Sequence, residues 1–399
     1  MIQKQFRVLN RGIHTKIQTF YSPTRQFLQQ HLAANPLPKD SVSVYLLSTS
    51  LTDLPGNLAA VQDVSKRSIG SFSIESAGSE PTLSLVTFWD ANIHVFRSNL
   101  TGRASAEVGR YQRPERQRNV EEEELRRSQQ KELEYVLSQD WEKVWKGESE
   151  GNSIRELEGV KPQSILLLSD SRPSPVLNAL DKMFPMITKM GMLTAPTPFI
   201  TNRPHTLLYN DQIVNSGTVG IAIEDREKSS KMNFGLSAVA DPLTITHAKG
   251  NLLLKVKGSN SNPTQLLIKA IQGRGGCSIT KENEFYLGFL ENGEVTRVIK
   301  ILSGDPSRGA MSLETEEPLV AGQTVQFMHR TTALNEPKPL PHSMTFYSLP
   351  RMEQIVEYSI GQPRVVDGFF ACTEGGIIYS NPSTFVCTAP GAVATISWQ

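Results

Sequence analysis

The chain has 399 residues, with 41 Lys and Arg against 40 Asp and Glu, for a net charge of +1. That balance argues against nucleic acid or an anionic membrane as the main partner, and no apolar run approaches the roughly 18–20 residues of a transmembrane helix. The three cysteines, Cys277, Cys372 and Cys387, exclude a disulfide scaffold and a four-cysteine zinc site, and suit a reducing compartment.

The start of the chain departs from this neutrality. No acidic residue occurs before Asp40, while Lys4, Arg7, Arg11, Lys16, Arg25 and Lys39 are basic. On a helical wheel Ile2, Phe6, Leu9, Ile13, Ile17 and Phe20 fall on one side and Lys4, Arg7 and Arg11 on the other. An acid-free amphipathic segment of this kind reads as a mitochondrial (matrix) transit peptide. The alternative is a basic helix or disordered arm of a cytoplasmic protein.

Ser41–Leu47 is a β-branched apolar run and predicts a strand. A turn at Pro55-Gly56 and a helix-like Leu58–Val64 follow. Leu83–Trp89 predicts a second strand, and Ile93–Phe96 is expected to pair with it across Asp90-Ala91-Asn92. The composition changes between about 101 and 159. An acidic block, Glu121–Glu124, follows a potential cap at Asn119, and apolar residues then recur at helical spacing through Trp141 and Trp145. This predicts a long charged helix over 119–147, read as an insertion whose stripe packs on its own domain or holds a protein partner.

Ile165–Asp170, Val176–Phe184 and Met190–Leu193 form a strand, helix, strand series, the βαβ pattern. Thr206–Val214 predicts a hairpin about Asn210-Asp211, and Gly217–Ile223 a buried strand. Beyond Asp241 the chain is strand-rich. Leu243–Thr246 and Leu252–Val256 flank a hairpin connection, Asn262-Pro263-Thr264 opens a helix, and Phe285–Leu290 and Val295–Ile301 join at an Asn-Gly hairpin signal. Strands are also predicted at Ala310–Leu313, Thr324–Met328 and between Val365 and Trp398, with a helix over Pro350–Tyr358.

Several stretches together resemble the FIST ("F-box and intracellular signal transduction") domain family. They are Val176–Leu193 with its Phe184-Pro185, Leu207–Ile223 ending Gly217-Thr218-Val219-Gly220-Ile221-Ala222, and Gly235–Pro263 with Asp241-Pro242. Leu302–Gly322 and Gly368-Phe369-Phe370 followed by Glu374-Gly375 complete the set. No F-box is readable ahead of them. The resemblance implies an α/β (mixed α+β) fold of two mixed-sheet modules with flanking helices. It divides the chain into 1–39 (presequence or arm), 40–234 (N-terminal module with the charged insertion) and 235–399 (C-terminal module). It also implies a ligand-sensing or partner-recruiting protein, with a small amino-acid-like metabolite as the ligand by analogy.

The residue inventory holds no strong catalytic motif. His14, His31, His94, His205, His247, His329 and His342 are scattered without metal-ligand spacing, so neither metal nor cofactor is expected. Gly273-Arg274-Gly275-Gly276 follows a helix, the wrong order for a phosphate loop. Glu374, after an apolar strand and inside a Gly-rich turn, is the first candidate anchor for an amine-bearing ligand. Phe369, Phe370, Arg330 and Asp241 are secondary ligand candidates, and Trp141 and Trp145 are the partner candidates. The competing readings are an enzyme with a cleft between modules using Glu374 and Cys372, and a substrate-recruiting adaptor.

Overall fold

A computed structural model describes residues 13–75, 79–100, 154–198, 203–225, 227–273, 284–315, 317–330, 338–350 and 359–398. These residues fall in one compact unit. The helix expected over 119–147, with Trp141 and Trp145, lies outside the described residues, as do the helix expected over 351–358 and most of the glycine-rich turn at 273–276.

In chain order the first elements are β1 (His14–Tyr21), α1 (Arg25–Ala34), β2 (Val42–Ser48), α2 (Leu54–Gln62), β3 (Arg67–Ser73), β4 (Thr82–Trp89) and β5 (Ile93–Ser98). Then come β6 (Ser164–Ser169), α3 (Ser174–Met183), β7 (Thr188–Leu193), β8 (Leu207–Tyr209), β9 (Gln212–Val214) and β10 (Thr218–Ile223). The middle holds β11 (Ser229–Asn233), β12 (Ser237–Ala238), β13 (Leu243–Lys249), β14 (Leu252–Val256), α4 (Pro263–Gln272), β15 (Phe285–Glu291), β16 (Glu294–Gly304), β17 (Met311–Leu313) and β18 (Thr324–His329). The last are β19 (Ser343–Ser348), β20 (Arg364–Asp367), β21 (Phe369–Thr373), β22 (Ile377–Ser380), β23 (Thr384–Cys387) and β24 (Val393–Ser397).

The α/β expectation is corrected by this content: among the described residues strand accounts for 46% and helix for 14%, in four short helices. The excess of strand has a definite source. Residues 237–329 close β13, β14, β17, β16, β15 and β18 into an antiparallel ring, sealed by the β15–β18 pairing. The ring surrounds Ile245, Leu253, Leu287, Phe289, Met311 and Phe327, with Leu267 and Ile271 of α4 packed against them. A closed ring leaves no edge strand to protect and needs few helices to cover it.

Elsewhere two sheets face one another. The first runs β20-β1-β4-β2-β3-β8-β9 and the second β23-β22-β7-β6-β10-β5. Strand alternation divides each into two apolar faces. From the first sheet Ile17, Val44, Leu46, Val86 and Phe88 meet Leu166, Leu168, Met190, Met192 and Ile221 of the second in a shared core. Phe20, Tyr45, Leu47 and Leu85 face the other way, onto Leu28 of α1 and Leu54 and Val61 of α2. Ile165, Leu167 and Ala222 face Val176, Leu177 and Leu180 of α3. The layers are therefore helix, sheet, sheet, helix. Two right-length crossovers, β2-α2-β3 and β6-α3-β7, make parallel pairs. β5 pairs with β10 in the second sheet rather than with β4, contrary to the expected hairpin.

The N-terminal stretch is part of this framework. Ile13, Ile17 and Phe20 belong to or adjoin β1, a strand between β20 and β4, and not to a helix. Their spacings of four and three satisfy a helical wheel, but Ile13 and Ile17 also share one strand face while Phe20 takes the other.

A third sheet, β11-β24-β19-β21, abuts the first through its edge. β21 pairs in parallel with β19 on one side. Its other edge faces the inward hydroxyls of Thr19 and Ser84. Thr19 Oγ1 donates to Gly368 O at 2.7 Å, and Ser84 Oγ donates to Phe370 O at 2.5 Å. Phe370 N donates to Thr19 Oγ1 at 3.1 Å and to Ser84 Oγ at 3.3 Å. Ile74 N reaches Cys372 O at 3.2 Å. Gly368 sits at φ +106°, and a Cβ there would meet Leu340 O at 2.5 Å, so no other residue fits this approach.

One further buried pair ties the outer layer down. Lys189, with a fully buried side chain, bonds Asp181 Oδ1 of α3 at 2.9 Å and Phe184 O at 2.7 Å. Asp181 also accepts from Thr384 N and Oγ1 of β23.

The buried hydroxyls at the β21 edge serve the main chain of Gly368 and Phe370, and leaving such groups unpaired costs about 1–3 kcal/mol. Thr19→Val and Ser84→Ala should each lower unfolding free energy by about that amount in urea titrations. The double variant should lose more than the two single losses together, because Phe370 N then keeps neither acceptor.

Candidate functional site

The carboxyl ends of the parallel strands meet at one end of the shared core. Main-chain bonds stitch them together: Thr49 N to Ser73 O at 3.0 Å, Ala195 N to Phe72 O at 3.0 Å and Thr194 N to Ser169 O at 2.9 Å. Leu193 N donates to Gly376 O at 3.0 Å and Leu349 N to Thr373 O at 2.8 Å. Ends of β2, β3, β6, β7, β19 and β21 are thus brought together. Ligands of α/β sheets bind outside such ends.

The side chains change character there. Along β2 the inward positions are Val42, Val44 and Leu46, all in the shared core, and the next is Ser48. Along β6 they are Leu166 and Leu168, and the next is Asp170. Along β7 they are Met190 and Met192, then Thr194. Along β19 they are Met344 and Phe346, then Ser348, and along β21 Phe369 and Ala371, then Thr373. On β3 Ile69 is followed at the same alternation by Ser71, Ser73 and Glu75. All of these polar residues are buried.

Most of the hydroxyls are engaged. Thr373 Oγ1 donates to Leu193 O at 2.6 Å and accepts from Gly375 N and Gly376 N. Asp170 accepts from Gly217 N at 2.7 Å and Arg172 N at 2.8 Å. His205 lies beside Thr194, with Nδ1 3.5 Å from Oγ1. Burial holds the His205 imidazole below its ordinary pKa, partly offset by Asp170, so it is neutral near pH 7.

Glu75 is different. It is 5% exposed, and its Oε1 accepts from Ser50 Oγ at 2.7 Å. Its Oε2 is buried without a hydrogen-bond partner among the described residues, and so is Ser348 Oγ. Burial pushes the Glu75 carboxyl above the ordinary range, against the pull of hydrogen bonds from Ser48 and Ser50.

The sequence candidates land in different places. Glu374 follows β21 at this carboxyl end and is half-buried. Phe369 is fully buried in the shared core, and Phe370 packs with Tyr347, Leu349 and Cys372 on the opposite face of the third sheet. Asp241 is exposed at the entry to β13. Arg330, just past β18, carries a buried Nη1 without a partner among the described residues. It lies near Glu284, which bonds Lys300 and accepts from Tyr286 Oη at 2.8 Å. Of the five, Glu374 alone belongs to the carboxyl-end cluster. Glu75, Asp170, Thr194 and His205 were not singled out from sequence. The available signal was the repeated ending of apolar strands in an inward Ser, Thr, Asp or Glu.

A separate open cleft of about 410 Å³ lies at the amino end of β3 and β5, lined by Arg67, Ala91, Asn92, Ile93, His94 and Glu224. Its polar groups pair with one another. Glu224 accepts from Asn92 Nδ2 at 3.0 Å and lies 3.3 Å from His94 Nε2. No residue lining this cleft carries a buried side-chain atom without a partner among the described residues, whereas Glu75 and Ser348 of the carboxyl-end cluster do.

The FIST N domain model matches residues 50–259, just over half of the chain. The chain belongs to the FIST family. No curated protein matches it. The matched stretch of this FIST protein contains Glu75, Asp170, Thr194 and His205, whereas Ser348, Thr373 and Glu374 lie beyond it.

A raised folded-state carboxyl pKa means the native state binds the proton more tightly than the unfolded state. Stability from this group is full below the unfolded pKa and declines as pH rises through the window up to the folded value. Glu75→Gln removes that loss and keeps an acceptor for Ser50. Its melting temperature should exceed that of the natural protein at pH 7–8, by roughly 1 kcal/mol in stability, and the gap should narrow toward pH 4. A variant less stable than the natural protein at pH 8 would contradict this account.

Proposed function

We propose that this FIST protein binds a small polar metabolite at the carboxyl-end cluster, as a sensory or carrier protein and not as a catalyst. The observation that carries this reading is the change of inward side chains, at six strand ends, from aliphatic to hydroxyl and carboxylate. Ser50, His205 and Glu374 are only part-buried and offer a ligand its way in. A FIST domain suggests a sensory or binding role, in agreement with this geometry. Cys372 and Cys387 are buried, and burial pushes the Cys387 thiol up to about 12, which suits packing more than nucleophilic attack.

Thermal-shift screening of the full chain against metabolites at millimolar concentration tests the reading. A binding metabolite at a hundredfold excess over its Kd stabilises by about 2.7 kcal/mol. That shift should shrink in Glu374→Gln. With no metabolite shifting the melting temperature, the binding reading fails.

We infer further that the protein is imported into mitochondria, directed by the acid-free residues ahead of β1. Because β1 pairs on both sides, processing beyond His14 would open the first sheet, so a cleavage point is expected before it. Residues 1–13 fused to a fluorescent reporter should carry it into mitochondria. A diffuse cytosolic reporter would remove this localisation.

A further inference from the structure

We propose that the carboxyl-end cluster takes an organic ammonium ion with no carboxylate of its own, held by the free oxygen of Glu75. This rests on the ligand-binding reading above and narrows it, replacing the amino-acid-like ligand implied by family resemblance with a simple amine.

The first reason is the orphaned group. A carboxylate that is 95% removed from solvent with one oxygen unpaired is unfavourable unless a donor reaches it. Ser50 Oγ donates to Oε1, and Oε2 has no hydrogen-bond partner among the described residues. Ser348 Oγ, buried at the same end of the shared core, is likewise without a partner among them. An ammonium group offers three donors and can supply the one that this carboxylate oxygen, Glu75 Oε2, lacks.

The second reason is charge. Glu75, Glu374 and Asp170 all belong to the strand ends, whereas the described basic side chains of these segments, Arg172 and Arg203, are exposed. His205 is held neutral. Among the described residues the cluster therefore favours a cation over an anion.

The third reason is the use already made of the main-chain donors that would otherwise cradle a carboxylate or phosphate. Gly375 N and Gly376 N go to Thr373 Oγ1, and Gly217 N and Arg172 N go to Asp170. The α2 N-terminus is capped by Asp53, which accepts from Gly56 N at 2.9 Å. An amino acid would bring its ammonium to Glu75 and leave its carboxylate facing acidic groups and spent donors, at a cost that the corresponding amine avoids.

Three matched probes decide the matter: isopentylamine, leucine, which adds a carboxylate to it, and 4-methylpentanoate, which lacks the amine. Binding to the full chain is measured at pH 7.5 by calorimetry and thermal shift. Isopentylamine should bind at least about tenfold more tightly than leucine, and 4-methylpentanoate should not bind. Glu75→Gln should weaken the amine by about tenfold or more, the size of a lost charge-assisted hydrogen bond, while circular dichroism shows it folded. Leucine binding as well as or better than isopentylamine, 4-methylpentanoate binding, no binding by any probe, or unchanged amine affinity in Glu75→Gln would each overturn the proposal. The binding reading itself stands or falls separately, on whether any metabolite in the wider screen stabilises the protein.

Discussion

The seam between β21 and the first sheet sets the terms for the rest of this structure. A strand edge carries main-chain groups that must find partners. Here a second edge strand does not satisfy them. Thr19, Ser84 and the main chain of Ile74 do, so the third sheet stands against the inner face of the first instead of extending it. The inward positions at 19 and 84 are hydroxyl-bearing for this reason, beside the apolar inward residues Ile17, Val86 and Phe88. The two hydroxyl oxygens lie 3.0 Å apart, and each turns its proton to the strand it serves.

This seam brings β21 to the carboxyl ends of β3 and β7. The turn after β21 is folded around Thr373, whose hydroxyl is shared among Leu193 O, Gly375 N and Gly376 N. Structural and functional roles are thereby split among neighbouring residues. Phe369 and Phe370 lock the strand into two different apolar clusters, Thr373 shapes the turn, and Glu374 stays part-exposed. Glu75 occupies the corresponding position beyond β3, more deeply buried. Burial there favours the neutral form of its carboxyl group.

Much of the local structure is legible in the sequence. The apolar runs at 42–47, 83–89, 165–170 and 217–223 are strands, and Asn262 caps α4 by accepting from Gln265 N at 3.0 Å. Asn292 and Gly293 take the positive φ values of 52° and 87° that a tight hairpin needs. What the pattern does not disclose is pairing. Ile93–Phe96 follows β4 after a three-residue connection, yet its partner is β10, 130 residues on, because the aliphatic face of β5 fits the second sheet. The two crossover units suggest a more helical protein than exists, since nothing local announces that residues 237–329 close on themselves. Glu374 is visible because glycines surround it. Glu75 follows Ser-Phe-Ser-Ile, an ordinary polar strand end, and gains its meaning only when six such ends converge.

The contact between Thr19 and Phe370 has a temporal side. The two residues are 351 positions apart, and Trp398 meets the Phe88 ring edge-on at 5.1 Å across a comparable span. Contacts of this separation form late and slowly, because the intervening chain must first be ordered. During synthesis, β1 and β4 can pair early, but their inner hydroxyls then face water until residues near 370 emerge. The carboxyl-end cluster, which draws on residues 48 to 376, is consequently absent from every shorter nascent chain. A truncated or stalled product would expose the apolar inner face of the first sheet without assembling that cluster, and its handling would fall to chaperones and proteases.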